Sequence, residues 1–126
     1  MAEFYTLDED HHLVPATLME WAAYFEDFRH RRVAETETEL FWVSTVFLGI
    51  NHRHFGDGPP IVFETMVFER AREVIELWGR LVSVRPDVEG WRYASWDDAV
   101  AGHDAAVSRL RKQELDVRAS LDRVRP

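Results

Sequence analysis

The sequence predicts an α+β domain, a small antiparallel sheet of about four to five strands packed by two or three helices, with a long C-terminal helix. Three observations predict it. Two apolar runs rich in β-branched and aromatic residues, 40–50 and 61–68, flank a loop of glycines and prolines. A Thr-x-x-Glu box opens a helix near the N-terminus, and apolar residues recur in alternating three- and four-residue steps over the last part of the chain. A chain of 126 residues holds one core, so residues 1–126 are expected to form a single domain.

In chain order, residues 3–7 alternate as a short strand, Asp8, Glu9 and Asp10 make a turn, and residues 11–14 return as a second strand. Thr17 and Glu20 then satisfy each other's orphan amides at a helix start, and Leu18, Trp21, Ala22, Phe25 and Phe28 give that helix one apolar face. From Arg31 the period changes to two. Glu35, Glu37 and Glu39 share one face and Thr36 and Thr38 the other, a pattern suited to an edge strand because charge there discourages aggregation. Residues 40–50 are apolar on both alternating faces, which predicts a central strand covered on both sides by helices or another subunit. Residues 61–68 form a comparable strand, paired antiparallel to the first.

Val74, Leu77, Trp78, Leu81 and Val82 fall at helical spacing, predicting a helix over residues 69–84 that ends at Pro86 and Gly90. A short strand at residues 91–94 leads to Ser95, which caps a last helix running from Trp96 to about Val124, with Asp97 and Asp98 complementing its dipole. Along it Val100, His103, Val107, Leu110, Glu114, Val117, Leu121 and Val124 mark one heptad seam. Residues 111–126 extend past what a small sheet needs. Val117, Leu121 and Val124 are therefore read either as a self-association stripe, with the chain as a homodimer, or as part of a frayed C-terminus.

Composition narrows the function classes. There is no cysteine, which removes disulfides, thiolate catalysis and Cys-based zinc sites. No apolar run spans a bilayer and no signal peptide is visible, so a cytoplasmic protein without membrane contact is expected. The net charge of −8 is uneven: residues 109–126 carry six bases against three acids, and the rest is strongly acidic. Such a body disfavours general nucleic-acid binding.

The loop at residues 49–60 is the densest in chemistry. It combines His52, Arg53, His54 and Asp57 with three glycines whose backbone can aim amides at an anion. His52 and His54 form a His-x-His pair, with Asp57 or Glu64 as possible oxygen ligands. Such a pair alone is more often a surface feature, so no metal and no cofactor are expected. Glu64 interrupts an apolar strand and needs a partner, with Arg53, His52 or His103 as candidates. His103 faces the apolar side of the last helix and reads as a hydrogen-bonded core histidine or as a member of the site. No nucleophile motif, P-loop, zincin box or dinucleotide fingerprint occurs, so no catalytic residue is assigned and the reading is against an enzyme.

The strings Val43-Ser44-Thr45-Val46-Phe47-Leu48-Gly49-Ile50-Asn51-His52, then Gly58-Pro59-Pro60-Ile61-Val62-Phe63-Glu64-Thr65-Met66-Val67-Phe68, and Tyr93-Ala94-Ser95-Trp96-Asp97-Asp98-Ala99 with Ala101-Gly102-His103 resemble a family of small uncharacterised phage- and prophage-associated proteins. The resemblance covers roughly half the chain; the segment from about Arg70 to Glu89 and the extended C-terminal helix look like additions to the family pattern. It implies a phage association and carries no activity. With it, the leading expectation is a non-enzymatic protein that occupies or inhibits a host protein, one of antiviral defence. The alternatives are a sequestering protein for an anionic small molecule or nucleotide, captured by His52, Arg53 and His54, and a His/Asp metal-dependent hydrolase.

Overall fold

The computed structural model describes residues 3–71, 73–84 and 87–124. An N-terminal hairpin, β1 (Phe4–Leu7) and β2 (Leu13–Ala16), leads into helix α1 (Leu18–Glu26) and a short 3-10 turn (Phe28–His30). Strands β3 (Arg32–Glu37), β4 (Phe41–Phe47) and β5 (Phe63–Glu69) follow, then a second hairpin, β6 (Glu73–Leu77) and β7 (Arg80–Val84). Strand β8 (Asp87–Tyr93) and the long helix α2 (Trp96–Val124) complete the chain. The main sheet is antiparallel in the order β3-β4-β5-β8, so the second hairpin is an excursion between two neighbouring strands. This is the α+β architecture that the sequence pattern predicts.

Helix α2 lies across one face of this sheet. Val43 and Val67 project into a core with Ala106, Val107 and Leu110, all buried. Toward the other end of the strands Phe47, Val62 and Phe63 meet Tyr5 and Ala99, with Phe25, Tyr93 and Trp96 packed around them. Each fully buried Phe contributes about 2–3 kcal/mol through the apolar surface it withdraws from water. The capping box of α1 forms as expected: Thr17 Oγ1 accepts from the Glu20 amide at 3.1 Å, and the Thr17 amide donates to Glu20 Oε1 at 2.9 Å. The Asp98 amide donates to Ser95 Oγ at 3.1 Å at the start of α2.

Strand β3 occupies a sheet edge, with Glu35 and Glu37 exposed and Thr36 turned toward α2. Its charges are matched. Glu35 accepts from Trp42 Nε1 and pairs with Arg32, Glu37 pairs with Arg70, and Glu39 pairs with Arg118.

Three expectations are corrected. Residues 69–84 do not form a helix: β6 and β7 pair as a hairpin with Leu77 opposite Arg80. Trp78 and Gly79 at its tip have φ values of 48° and 78°. Positive φ at both central residues defines the two-residue turn whose twist suits a hairpin, and Val74, Ile75, Val82 and Val84 favour strand. Helices of the chain do not cover both sides of β4: Val43, Thr45 and Phe47 are enclosed on the α2 side, while Trp42, Ser44 and Val46 on the other face are half-buried. The apolar face of α1 is narrower than its spacing suggests, because Leu18 and Phe28 are exposed.

Candidate functional site

The connection from β4 to β5 is held along most of its length by backbone bonds. The Leu48 amide donates to the Val62 carbonyl at 2.7 Å and the His52 amide to the Ile61 carbonyl at 2.8 Å, which continues the ladder beyond the strand ends. On its other side the segment joins β1: the Tyr5 amide donates to Gly49 at 2.8 Å and the Asn51 amide to Glu3 at 3.0 Å. Gly49 sits at φ +70°, and a Cβ there would fall 2.6 Å from the Trp21 indole nitrogen, which itself donates to the Leu48 carbonyl at 3.1 Å. Only glycine fits both the left-handed backbone and the close indole.

Side chains complete the brace. Asn51 Oδ1 accepts from the Arg53 amide at 2.9 Å and the Ile61 amide at 3.1 Å, joining the two limbs of the loop. Arg53 Nε donates to the Pro59 carbonyl at 2.9 Å, and a Cβ on Gly58 would meet the guanidinium carbon at 2.7 Å. Arg53 thus lies against the loop's own backbone. Beyond this frame His54, Phe55, Gly56 and Asp57 are exposed, and Phe55 is 89% accessible. A large aromatic is therefore presented to solvent on a pinned support.

His52 is half-buried at the foot of this loop. Desolvation holds its imidazole below the ordinary histidine value; Arg92 and His54 act in the same direction, and Glu64 opposes them. Glu64 stands on the outer face of β5 directly across from Arg92, whose Nε donates to Oε2 at 2.9 Å. The partner of Glu64 is thus Arg92, outside the set of Arg53, His52 and His103. A position on the neighbouring strand is the signal that names it, and that pairing follows from β8 joining β5.

His103 lies elsewhere, buried between α2 and the inner face of the sheet. Its Nδ1 is 2.8 Å from Thr45 Oγ1 and its Nε2 is 2.9 Å from Thr36 Oγ1, while Thr45 and Thr65 share a hydrogen bond at 2.6 Å. Burial lowers its pKa, with Asp104 opposing. Both ring nitrogens are engaged by hydroxyls that can either donate or accept, so the ring is satisfied in its neutral form. The structure therefore brings His52 near Glu64 and Arg92, sets His54 and Asp57 at the loop tip, and places His103 in the core.

Among the described residues, the one group of three ligand-type side chains with atoms within 4.8 Å of one another is Asp8, Asp10 and His12, all exposed. Asp8 Oδ1 there accepts from the amides of Asp10 and His12 at 2.9 Å each, which forms the β1–β2 turn. The sequence marks Asp8 and Asp10 only as a turn and His12 only as part of the returning strand. His52, His54, Asp57 and Glu64 do not assemble such a group.

At the opposite end of the sheet, Glu114 of α2 caps the β3–β4 turn. Its carboxylate accepts from Thr38 Oγ1, from the Leu40 amide at 3.0 Å and from the Glu39 amide at 3.3 Å. Burial pushes its pKa up, but these hydrogen bonds outweigh that and hold it below the usual value. Past Glu114 the helix leaves the sheet, and Val117, Leu121 and Val124 are exposed along it. No helix among the described residues is long and apolar enough to cross a membrane. No protein-family model matches the chain, and searches of curated proteins and of solved structures likewise return no match.

Proposed function

We propose that this chain is a non-enzymatic binding protein, phage-associated and active as a homodimer, that occupies and inhibits a host protein through the tip of the β4–β5 loop. The observation that carries the reading is the presentation of Phe55, flanked by His54 and Asp57, on a loop held by Asn51, Arg53 and Gly49. Exposed aromatics on rigid supports are the residues that anchor protein interfaces, because little conformational entropy is lost when they dock. The phage association, and with it a host target in antiviral defence, rests on the sequence resemblance.

Of the groups that would capture an anion, Arg53 gives its Nε to the loop backbone and desolvation disfavours the charged form of His52, which leaves His54 alone at the tip. This favours the protein-binding reading over capture of an anionic metabolite. The test is recovery of a stoichiometric partner from host lysate by the full chain, its loss with Phe55→Ala, and its retention with Trp78→Ala at the far hairpin. Equal recovery by all three proteins removes the loop from the interface.

A further inference from the structure

Opposite charges are matched over much of this molecule. Arg29, Arg32, Arg70, Arg92, Arg109 and Arg118 each pair with a carboxylate. Arg31 does not, although it has less water around it than any of these. Among the described residues two arginines are half-buried, Arg31 and Arg53, and the second gives its Nε to the Pro59 carbonyl. The Arg31 guanidinium packs against rings instead, its carbon 5.0 Å from the centre of Phe28 and 5.7 Å from that of Phe25. Its Nε is the one buried side-chain nitrogen or oxygen among the described residues that has no hydrogen-bond partner.

The backbone fixes Arg31 in this place. Its amide closes the 3-10 turn on the Phe28 carbonyl at 3.2 Å, and its carbonyl accepts from the Phe47 amide at 2.7 Å. Arg32 lies over the same Phe28 ring at 4.9 Å, but Glu35 answers it at 3.2 Å. Aromatic faces attract a guanidinium without supplying an acceptor for its N–H groups. A cation left short of solvation in this way gains more from an anion than a fully hydrated one does. Because Nε is turned inward, the free edge of the guanidinium is its pair of Nη atoms, which form no ion pair among the described residues.

We infer that Arg31 is the receptor for a carboxylate presented by a partner protein, an Asp or Glu side chain that lies end-on across the two Nη atoms with its methylene stem on Phe28. This gives a chemistry to the partner of the binding-protein reading above, and it rests on that reading for the source of the carboxylate. Charge selects a monoanion. Asp27 cancels Arg29 and Glu35 cancels Arg32, so the turn offers the single unanswered charge of Arg31. A dianion would bring surplus negative charge to a chain whose net charge is −8. Contact area selects a protein over a free acid: Phe28 is 55% exposed, an open shelf that holds a small molecule on one side only. Glu26, exposed at the end of α1 and in no ion pair among the described residues, is the rival from within the chain.

The experiment follows the arginine Nε–Hε and backbone amide resonances of the full chain by NMR at constant ionic strength. Acetate, a glutamate blocked at both termini and inorganic phosphate are added in turn. The Arg31 Nε–Hε response should saturate at an acetate concentration about tenfold below that needed at Arg80 and Arg111, which are exposed and act as internal references. Blocked glutamate should bind more tightly than acetate, and phosphate more weakly. Arg31→Lys keeps the charge without the fork and should weaken the response of the Phe28 and Arg32 amides, while Glu26→Gln should leave it as it is. An Arg31 response no tighter than that of Arg80 overturns the site, and the readout on the unaltered chain holds however the variants fold. A response seen only in Glu26→Gln makes Glu26 the internal partner and overturns it too. Phosphate binding more tightly than acetate overturns the monoanion, and blocked glutamate binding no better than acetate overturns the protein source. The probes contain no host protein, so failure here leaves the loop-tip reading to its own test.

Discussion

The β4–β5 loop and the β6–β7 hairpin leave opposite ends of strand β5, and they are held in opposite ways. The loop has no regular secondary structure, yet its limbs are tied by Asn51, its base is bonded to β1, and Gly49 is closed against Trp21. The hairpin is regular, five residues paired with five, yet Trp78 at its tip is 97% exposed and Leu81 is exposed as well. Regular pairing and tertiary anchoring are thus separate properties. The first satisfies the backbone; the second decides what a substitution costs.

The sharpest way to break this contrast is Gly49→Val. The left-handed backbone costs about 1–2 kcal/mol and the collision with Trp21 about 1–3 kcal/mol more. Denaturant unfolding should show a loss of about 2–5 kcal/mol, and a loss below 1 kcal/mol would mean that the loop base yields freely. Asn51→Ala comes next. It orphans the partly buried amides of Arg53 and Ile61, which predicts a loss of about 1–3 kcal/mol, together with faster amide exchange at both positions.

Acid should act on the anchored regions as well. His52 and His103 are both held below the ordinary value of 6.5, so they stay neutral in the folded chain where unfolded imidazoles take up protons. The unfolded state then binds more protons below about pH 6.5, and stability should be full above that pH and fall as the pH drops from it. Unfolding midpoints measured from pH 7.5 to 5 should decline, and His103→Asn should reduce the slope. A flat profile would show that the core tolerates the imidazolium. The depressed carboxylates Asp8, Asp27 and Glu114 act in the same direction at lower pH, near and below their ordinary values.

The smallest effect belongs to the hairpin. Trp78→Ser should change stability by no more than about 0.5 kcal/mol, since an exposed side chain has little packing to lose. A loss above 1 kcal/mol would reveal an anchor at this end and erase the contrast.

The same contrast explains what could be read in advance. The strands on either side of the loop are visible because Val43, Phe47, Phe63 and Val67 carry an alternation that one covered face preserves. The hairpin was hidden because Val74, Leu77, Leu81 and Val82 satisfy a helical period and a strand composition together. Periodicity discriminates only where one face is buried, and the described residues Trp78 and Leu81 of this segment are exposed. The loop residues His52, Arg53, His54 and Asp57 are legible as a polar cluster. That Arg53 serves the loop's own frame, and that His103 lies among Thr36, Thr45 and Thr65, follows from contacts between residues far apart in the chain.

By itself the sequence determined the capping of α1, the length of α2, the charged β3 edge and the central pair of strands, because each depends on neighbours within a few positions or on one repeating period. Only the tertiary structure decided that Arg92 answers Glu64, that Glu114 caps a turn some seventy-five residues away and that β8 lies beside β5. Those outcomes depend on which strand lies beside which and where the long helix crosses them, and no local pattern encodes that.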